Sequence, residues 1–233
     1  GEDPGPKAVG GAGGSSGMLG GSSGSGGGGL PEGVPLTPMK GWVAVDSNEL
    51  GVQGAMFAYA DPTSKMSMME NFEGASACIS GEASKVIMPC TFMPPATDCY
   101  GEYWGAAIGM NLNQAIDEIT GEGGAIEPFD ASGLKGFAFN IDGGKVPGSL
   151  RFTVESTSGD FCTPPATMVA KGANTFMFEQ LFSECWEKTA STANPNAGTV
   201  KNAIKKIAWQ VVTNDKSAVP YEYCVSDVRA LKL

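Results

Sequence analysis

The chain has 233 residues, 25 acidic against 15 basic side chains, a formal net charge of -10 and no histidine. Without imidazole there is no Ser–His or Cys–His catalytic couple and no histidine metal ligand. The acidic balance argues against a nucleic-acid partner, whose phosphates need a basic surface, and no apolar run reaches the roughly 18 residues that mark a membrane-spanning helix.

Residues 1–35 read as an arm or linker. Of the 34 glycines, 14 fall within the first 30 residues. Only Val9, Met18, Leu19, Leu30 and Val34 are appreciably apolar there, at no regular period. Such a segment buries too little to offset its ordering entropy, which is largest for glycine. Relaxed, it spans on the order of 30 Å. A start at Gly1 fits a processed chain. A Gly/Ser tether ahead of a compact domain is also what a surface lipoprotein carries, with its lipid anchor upstream of the residues here.

Residues 36–233 are long enough for one domain with a real core. Short strand-like runs alternate with Gly, Pro, Asn and Asp. In chain order they are GWVAVD (41–46), GAMFAYAD (54–61), SACISGEASKV (76–86), GAAIGMNLN (105–113), LKGFAFNID (134–142), SLRFTVES (149–156), NTFMFEQL (174–181), KKIAWQVVT (205–213) and YEYCVSDVRAL (221–231). Alternation in 149–156 puts Leu150, Phe152 and Val154 on one face and Arg151, Thr153 and Glu155 on the other. In 205–213, Ile207, Trp209 and Val211 share the core face. Residues 113–119 and 180–187 have room for a helical turn or two. The Met-rich run 64–74 reads as a surface or interface loop. Many short strands and little helix predict an all-β fold, an antiparallel sandwich of the jelly-roll kind.

The six cysteines contain no CxxC pair, so zinc-ribbon and thioredoxin readings lack support. An even count fits disulfides and an oxidising compartment, secreted or at the outer cell surface. Cys90 and Cys99 flank a Pro-containing loop and Cys162 and Cys185 flank one strand. The pair left over is Cys78 with Cys224, which joins an early strand to the last.

The segments ACISGEASKV, YGEYWGAAIGMNLNQ, PFDASGLKGFAFNIDG, LRFTVES, FCTPP…ECW and KKIAWQVVTNDKSAVPYEYCVSDVRAL together resemble secreted, lipoprotein-like jelly-roll proteins of myxobacteria. Those are similar in layout to galactose-binding-like and carbohydrate-binding-module sandwiches. The resemblance covers about residues 41–233 and carries no catalytic motif. It implies a galactose-binding-like β-sandwich, extracellular placement and binding of a polysaccharide. It also implies a structural Ca²⁺ held by Asp227, near the end of the final strand, with Asp61 as its match in an early strand. Calcium takes roughly 6–8 oxygen ligands, and these two carboxylates supply only part of them.

A sugar face stacks on aromatic rings, so Tyr100, Tyr103 and Trp104 in CYGEYWG are the candidate platforms. Trp209 belongs to the core by alternation, and Trp186 is placed against the Cys185 disulfide. Asn111, Asn113, Asn140, Arg151 and Gln210 form a candidate polar floor opposite the core face. A structural subunit of a surface layer or fibre, using the arm for subunit contacts, is the alternative reading. A carboxylate-dependent glycoside hydrolase is the second, and needs two acids roughly 5–9 Å apart across a cleft. Asp117, Glu118, Glu122, Glu127, Glu184 and Glu187 are its candidates.

Overall fold

Alternation of apolar and polar residues lets a strand bury one face and wet the other, and this chain uses it almost throughout. The computed structural model describes residues 29–68, 72, 74–88, 99, 101–165, 168–183, 185–187 and 201–233. The strands are β1 (Val34–Pro35), β2 (Trp42–Val43), β3 (Gly54–Ala60), β4 (Lys65–Met68), β5 (Ser76–Ala83), β6 (Ala106–Asn111), β7 (Gln114–Ile116), β8 (Gly123–Ile126), β9 (Leu134–Lys145), β10 (Leu150–Ser156), β11 (Gly159–Cys162), β12 (Gly172–Met177), β13 (Ile204–Val211) and β14 (Val219–Lys232).

They form two antiparallel sheets and a small hairpin. The first sheet runs β12-β9-β14-β5-β4, with β1 also on β14. The second runs β11-β10-β13-β6-β3-β2, and β7 pairs with β8. The expected antiparallel sandwich is what forms. Strand pairing begins at Val34, opposite Ala230, inside the stretch expected as arm. Residues 1–28 lie outside the described residues.

The core is an aromatic cluster shared by both sheets. Phe137, Phe139 and Phe176 come from the first sheet, Phe152 and Trp209 from the second. Phe152 stacks on Phe176 with ring centres 5.8 Å apart, and Trp209 meets Phe139 edge-on at 5.2 Å. The Tyr223 hydroxyl donates to the Trp209 carbonyl at 2.7 Å, linking the sheets through a wholly buried polar group.

Strand β14 changes phase part-way. Tyr221, Tyr223 and Val225 point into the core, then Val228 and Ala230 do. The odd-to-even switch happens at Asp227, whose φ is 49°, where pairing with β9 slips between Ser226 and Arg229. A bulge of this kind inserts one residue and re-aims those beyond it.

Two disulfides match the expected pairs. Cys78–Cys224 joins residues directly opposed on β5 and β14, and Cys162–Cys185 ties β11 to a short 3-10 turn at Cys185–Glu187. Cys99 is also disulfide-bonded. Cys90 lies outside the described residues.

Several local expectations are corrected. Residues 113–119 do not form helix but β7 and the start of a turn. Seven residues are too few for a stable helix alone. Ala115, Ile116 and Ile119 are exposed, so no apolar face anchors one. The helical signal at 180–187 appears only as the 3-10 turns Phe178–Gln180 and Cys185–Glu187. In the Met-rich run, Lys65–Met68 is an edge strand on β5.

Phe152→Ala removes a ring that touches Phe137, Phe139, Phe176 and Trp209. The expected loss is about 3–5 kcal/mol in urea unfolding. A loss below about 1 kcal/mol would mean that the cluster does not hold the sheets together.

Candidate functional site

Burying alternate residues of the second sheet turns the others out in cross-strand rows. One row is Tyr59, Ala107, Gln210 and Arg151. The next is Phe57, Gly109, Ala208, Thr153 and Cys162. A third is Asn111, Lys206, Glu155 and Asp160. Ala107 in the first row and Gly109 and Ala208 in the second therefore leave the centre of this face small.

The small centre lets aromatic rings lie down on the sheet. A Cβ added to Gly109 would come within 3.0 Å of the Tyr59 ring and 3.1 Å of the Phe57 ring. Phe57 and Tyr59 have ring centres 5.4 Å apart, and Tyr59 is 5.4 Å from Trp104. All three are half-buried, forming a continuous aromatic strip at the sheet surface. Lys206 Nζ sits 4.9 Å from the Tyr59 ring centre and 2.8 Å from Glu155 Oε2.

A planar hydrogen-bonding chain runs across the strip. Arg151 Nε and Nη2 donate to Gln210 Oε1 at 3.0 and 2.8 Å. Gln210 Nε2 donates to the Trp104 carbonyl at 2.7 Å. Trp104, Gln210 and Arg151, expected separately, thus form one cluster.

The other predicted residues lie elsewhere. Tyr103 is not a rim platform. It is buried with Val86 and Cys99, and its carbonyl accepts from Thr213. Tyr100 lies outside the described residues. Asn111 does face the same side, but it is buried and spends its amide on Gln114 Oε1. Asn113 lies past the end of β6 and donates to the Pro128 carbonyl. Asn140 is half-buried on β9, in the opposite sheet, so it shares no floor with Arg151 and Gln210. Trp186 is 62% exposed, in contrast to the packed position expected beside the disulfide.

The calcium pair is not assembled. Asp61 is buried and its Oδ1 accepts from the Thr63 and Ser64 amides and the Thr63 hydroxyl, while Oδ2 accepts from the Gly105 amide. Its charge reaches Tyr221, about 20 Å along β14 from Asp227. Asp227 is spent on the bulge and on a two-pronged ion pair with Arg229, at 2.9 and 3.2 Å. Among the described residues no three acidic or cysteine side chains cluster as metal ligands. The hydrolase candidates Asp117, Glu118, Glu122 and Glu127 are exposed around the β7–β8 hairpin, Glu184 lies outside the described residues, and Glu187 is at the end of a 3-10 turn.

Phe57 and Tyr59 were overlooked in the sequence. The signal is the alternation within GAMFAYAD, which sets Met56, Ala58 and Ala60 inward against Phe57 and Tyr59. The opposite sheet face offers a contrast: Ser76, Ser80, Glu82, Glu222 and Ser226 surround its disulfide.

The shifts of Tyr59 and Lys206 both move these groups further above neutral pH. Burial pushes the Tyr59 phenol above its ordinary value, against the pull of Lys206. Burial opposes the Lys206 charge, but Glu155 and Tyr59 outweigh it and raise the ammonium above the ordinary lysine value. Burial, then repulsion from Glu155, pushes the Asp160 carboxyl up.

No family model and no curated protein matches the chain. Among solved structures it is similar to the family 11 carbohydrate-binding module of the cellulosomal cellulase Lic26A-Cel5E of Clostridium thermocellum, at 12% identity and a TM-score of 0.41, covering 76% of this chain and 88% of that one. A structure of the Clostridium thermocellum module in complex with a β-1,3-1,4-mixed-linked tetrasaccharide matches with the same figures. PfGH50B matches at 11% identity and a TM-score of 0.37, covering 77% of this chain and 22% of that one. Likenesses this distant agree with the sandwich layout and carry no argument about a ligand.

Tyr59, Tyr221 and Tyr223 all have phenols raised above the ordinary 10.0, chiefly by burial, Tyr221 to about 12. An acid with a raised folded-state pKa contributes stability that is complete below its unfolded value and is lost as pH rises through the folded one. Urea midpoints are therefore expected to hold up to pH 10 and to fall between pH 10 and about 12. Phenolate absorbance titrating wholly at the unfolded value, with no alkaline loss of stability, would contradict this.

Proposed function

We propose that this protein is a non-catalytic glycan-binding module whose outer second-sheet face takes a polysaccharide. The observation that supports it most is the strip of Phe57, Tyr59 and Trp104 beside the Gln210–Arg151 pair. Pyranose rings present flat C–H faces, which suit exposed aromatic faces. Their hydroxyls suit planar amides held in one orientation. Gln210 is so held, from both sides, by Arg151 and Trp104. The small residues beneath keep the platform low, as an extended chain laid along a sheet requires.

Disulfides Cys78–Cys224 and Cys162–Cys185 support placement in an oxidising compartment, at the cell surface or outside it. There the ligand is a cell-wall or matrix polysaccharide.

Affinity electrophoresis against mixed-linked β-glucan, xylan, galactan and polygalacturonate tests the reading. At least one is expected to retard the wild type. Tyr59→Ala and Trp104→Ala should each weaken that binding about tenfold or more, as loss of a central aromatic anchor does. No retardation by any of the four, or binding indifferent to both substitutions, would count against it.

A further inference from the structure

Two cations stand on the outer face of the second sheet, and they are differently treated. Lys206 is ion-paired with Glu155. Arg151 has no carboxylate within ion-pair distance among the described residues. It is half-buried, and burial pushes its pKa down to about 10 against the partial offset of Asp160 and Tyr59, so it stays charged at neutral pH.

Its orientation is held. Nε and Nη2 are spent on Gln210, and Nη1 lies 3.8 Å from Cys185 Sγ. A guanidinium has more N–H groups than these contacts use. Two remain, one on Nη1 and one on Nη2, terminal nitrogens that donate to the oxygens of an anion. Nearby Asp160 acts on Arg151 electrostatically, and its own carboxyl is pushed up by burial and by Glu155. Trp186, 62% exposed, follows Cys185 in the chain.

We infer that the polysaccharide taken by this face is acidic, with a carboxylate or sulfate on the sugar seated on the terminal nitrogens of Arg151. One oriented guanidinium and not a basic surface makes this contact, so the net charge of -10 does not bar it. The inference rests on the glycan-binding reading above. Gln210 bridges Trp104 and Arg151, so a ring stacked at Trp104 and an anion at Arg151 belong to one ligand. Arginine suits the role better than lysine because its planar fork is already oriented.

The wild-type protein is titrated calorimetrically with polygalacturonate, with the same polymer after methyl esterification, with a sulfated galactan and with mixed-linked β-glucan. Esterification removes the charge and keeps the ring. The free acid is expected to bind at least about tenfold more tightly than the ester, the range of a charge-assisted hydrogen bond. Arg151→Met should collapse that ratio, and Arg151→Lys should restore part of it. Preference for sulfated galactan supports the inference with sulfate as the anion, and preference for polygalacturonate supports it with carboxylate. If neither anionic polymer is preferred over its neutral counterpart, or if Arg151→Met leaves the ratio intact, the inference is overturned. Binding of neutral glucan that still depends on Tyr59 and Trp104 would then leave the glycan-binding reading standing. Failure of all four polymers to bind overturns both.

Discussion

Phe152 on β10 is paired across the ladder with Trp209 on β13, and both are wholly buried between the sheets. Everything on the opposite face follows from that pair. Strand side chains alternate, so seating Phe152 and Trp209 in the core turns their neighbours Arg151 and Gln210 outward, again directly opposed. A one-residue slip would bury the guanidinium and expose the rings. Hydrophobic burial thus sets the register, and the register assembles the polar half of the candidate site.

The aromatic half depends on absence of bulk. Ala107, Gly109 and Ala208 sit side by side on β6 and β13. Their size allows Phe57 and Tyr59 to lie against the sheet, with Lys206 over the Tyr59 ring. The two disulfides act at opposite places. Cys78–Cys224 lies on the outer face of the first sheet, in line with Ser76, Ser80, Glu222 and Ser226. Cys162–Cys185 pins the turn carrying Trp186 beside Arg151 on the second. The asymmetry between the faces is what singles out one of them as the candidate surface.

Much of this was legible in the sequence. The strands with strong alternation, 149–156 and 205–213, lie where expected, as does Trp209 in the core. Cys162–Cys185 follows from loop logic, and Cys78–Cys224 is the pair left over. The misreadings share a cause: they concern residues whose role is decided by a neighbour remote in sequence. Tyr103 sits one residue from Trp104, yet one is buried against Cys99 and the other reaches the sheet face. The resemblance implies a calcium pair at Asp61 and Asp227. One instead satisfies amides around the Thr63 turn and at Gly105, and the other serves a bulge and Arg229. Residues 113–119 carry helix-compatible residues, but no apolar stripe to dock a helix.

The amino-acid sequence by itself determined the class of fold and the inward and outward faces of each strongly alternating strand. That information is local, because period-2 burial is written into a single segment. It also supplied the reduced chemical repertoire, since a chain without histidine has none wherever it folds. Only the tertiary structure decided that Tyr59, Trp104, Gln210 and Arg151 lie on one surface and Asn140 on another. Those residues come from β3, β13, β10 and the segment entering β6, and their company depends on strand order, which long-range pairing sets and local periodicity does not contain.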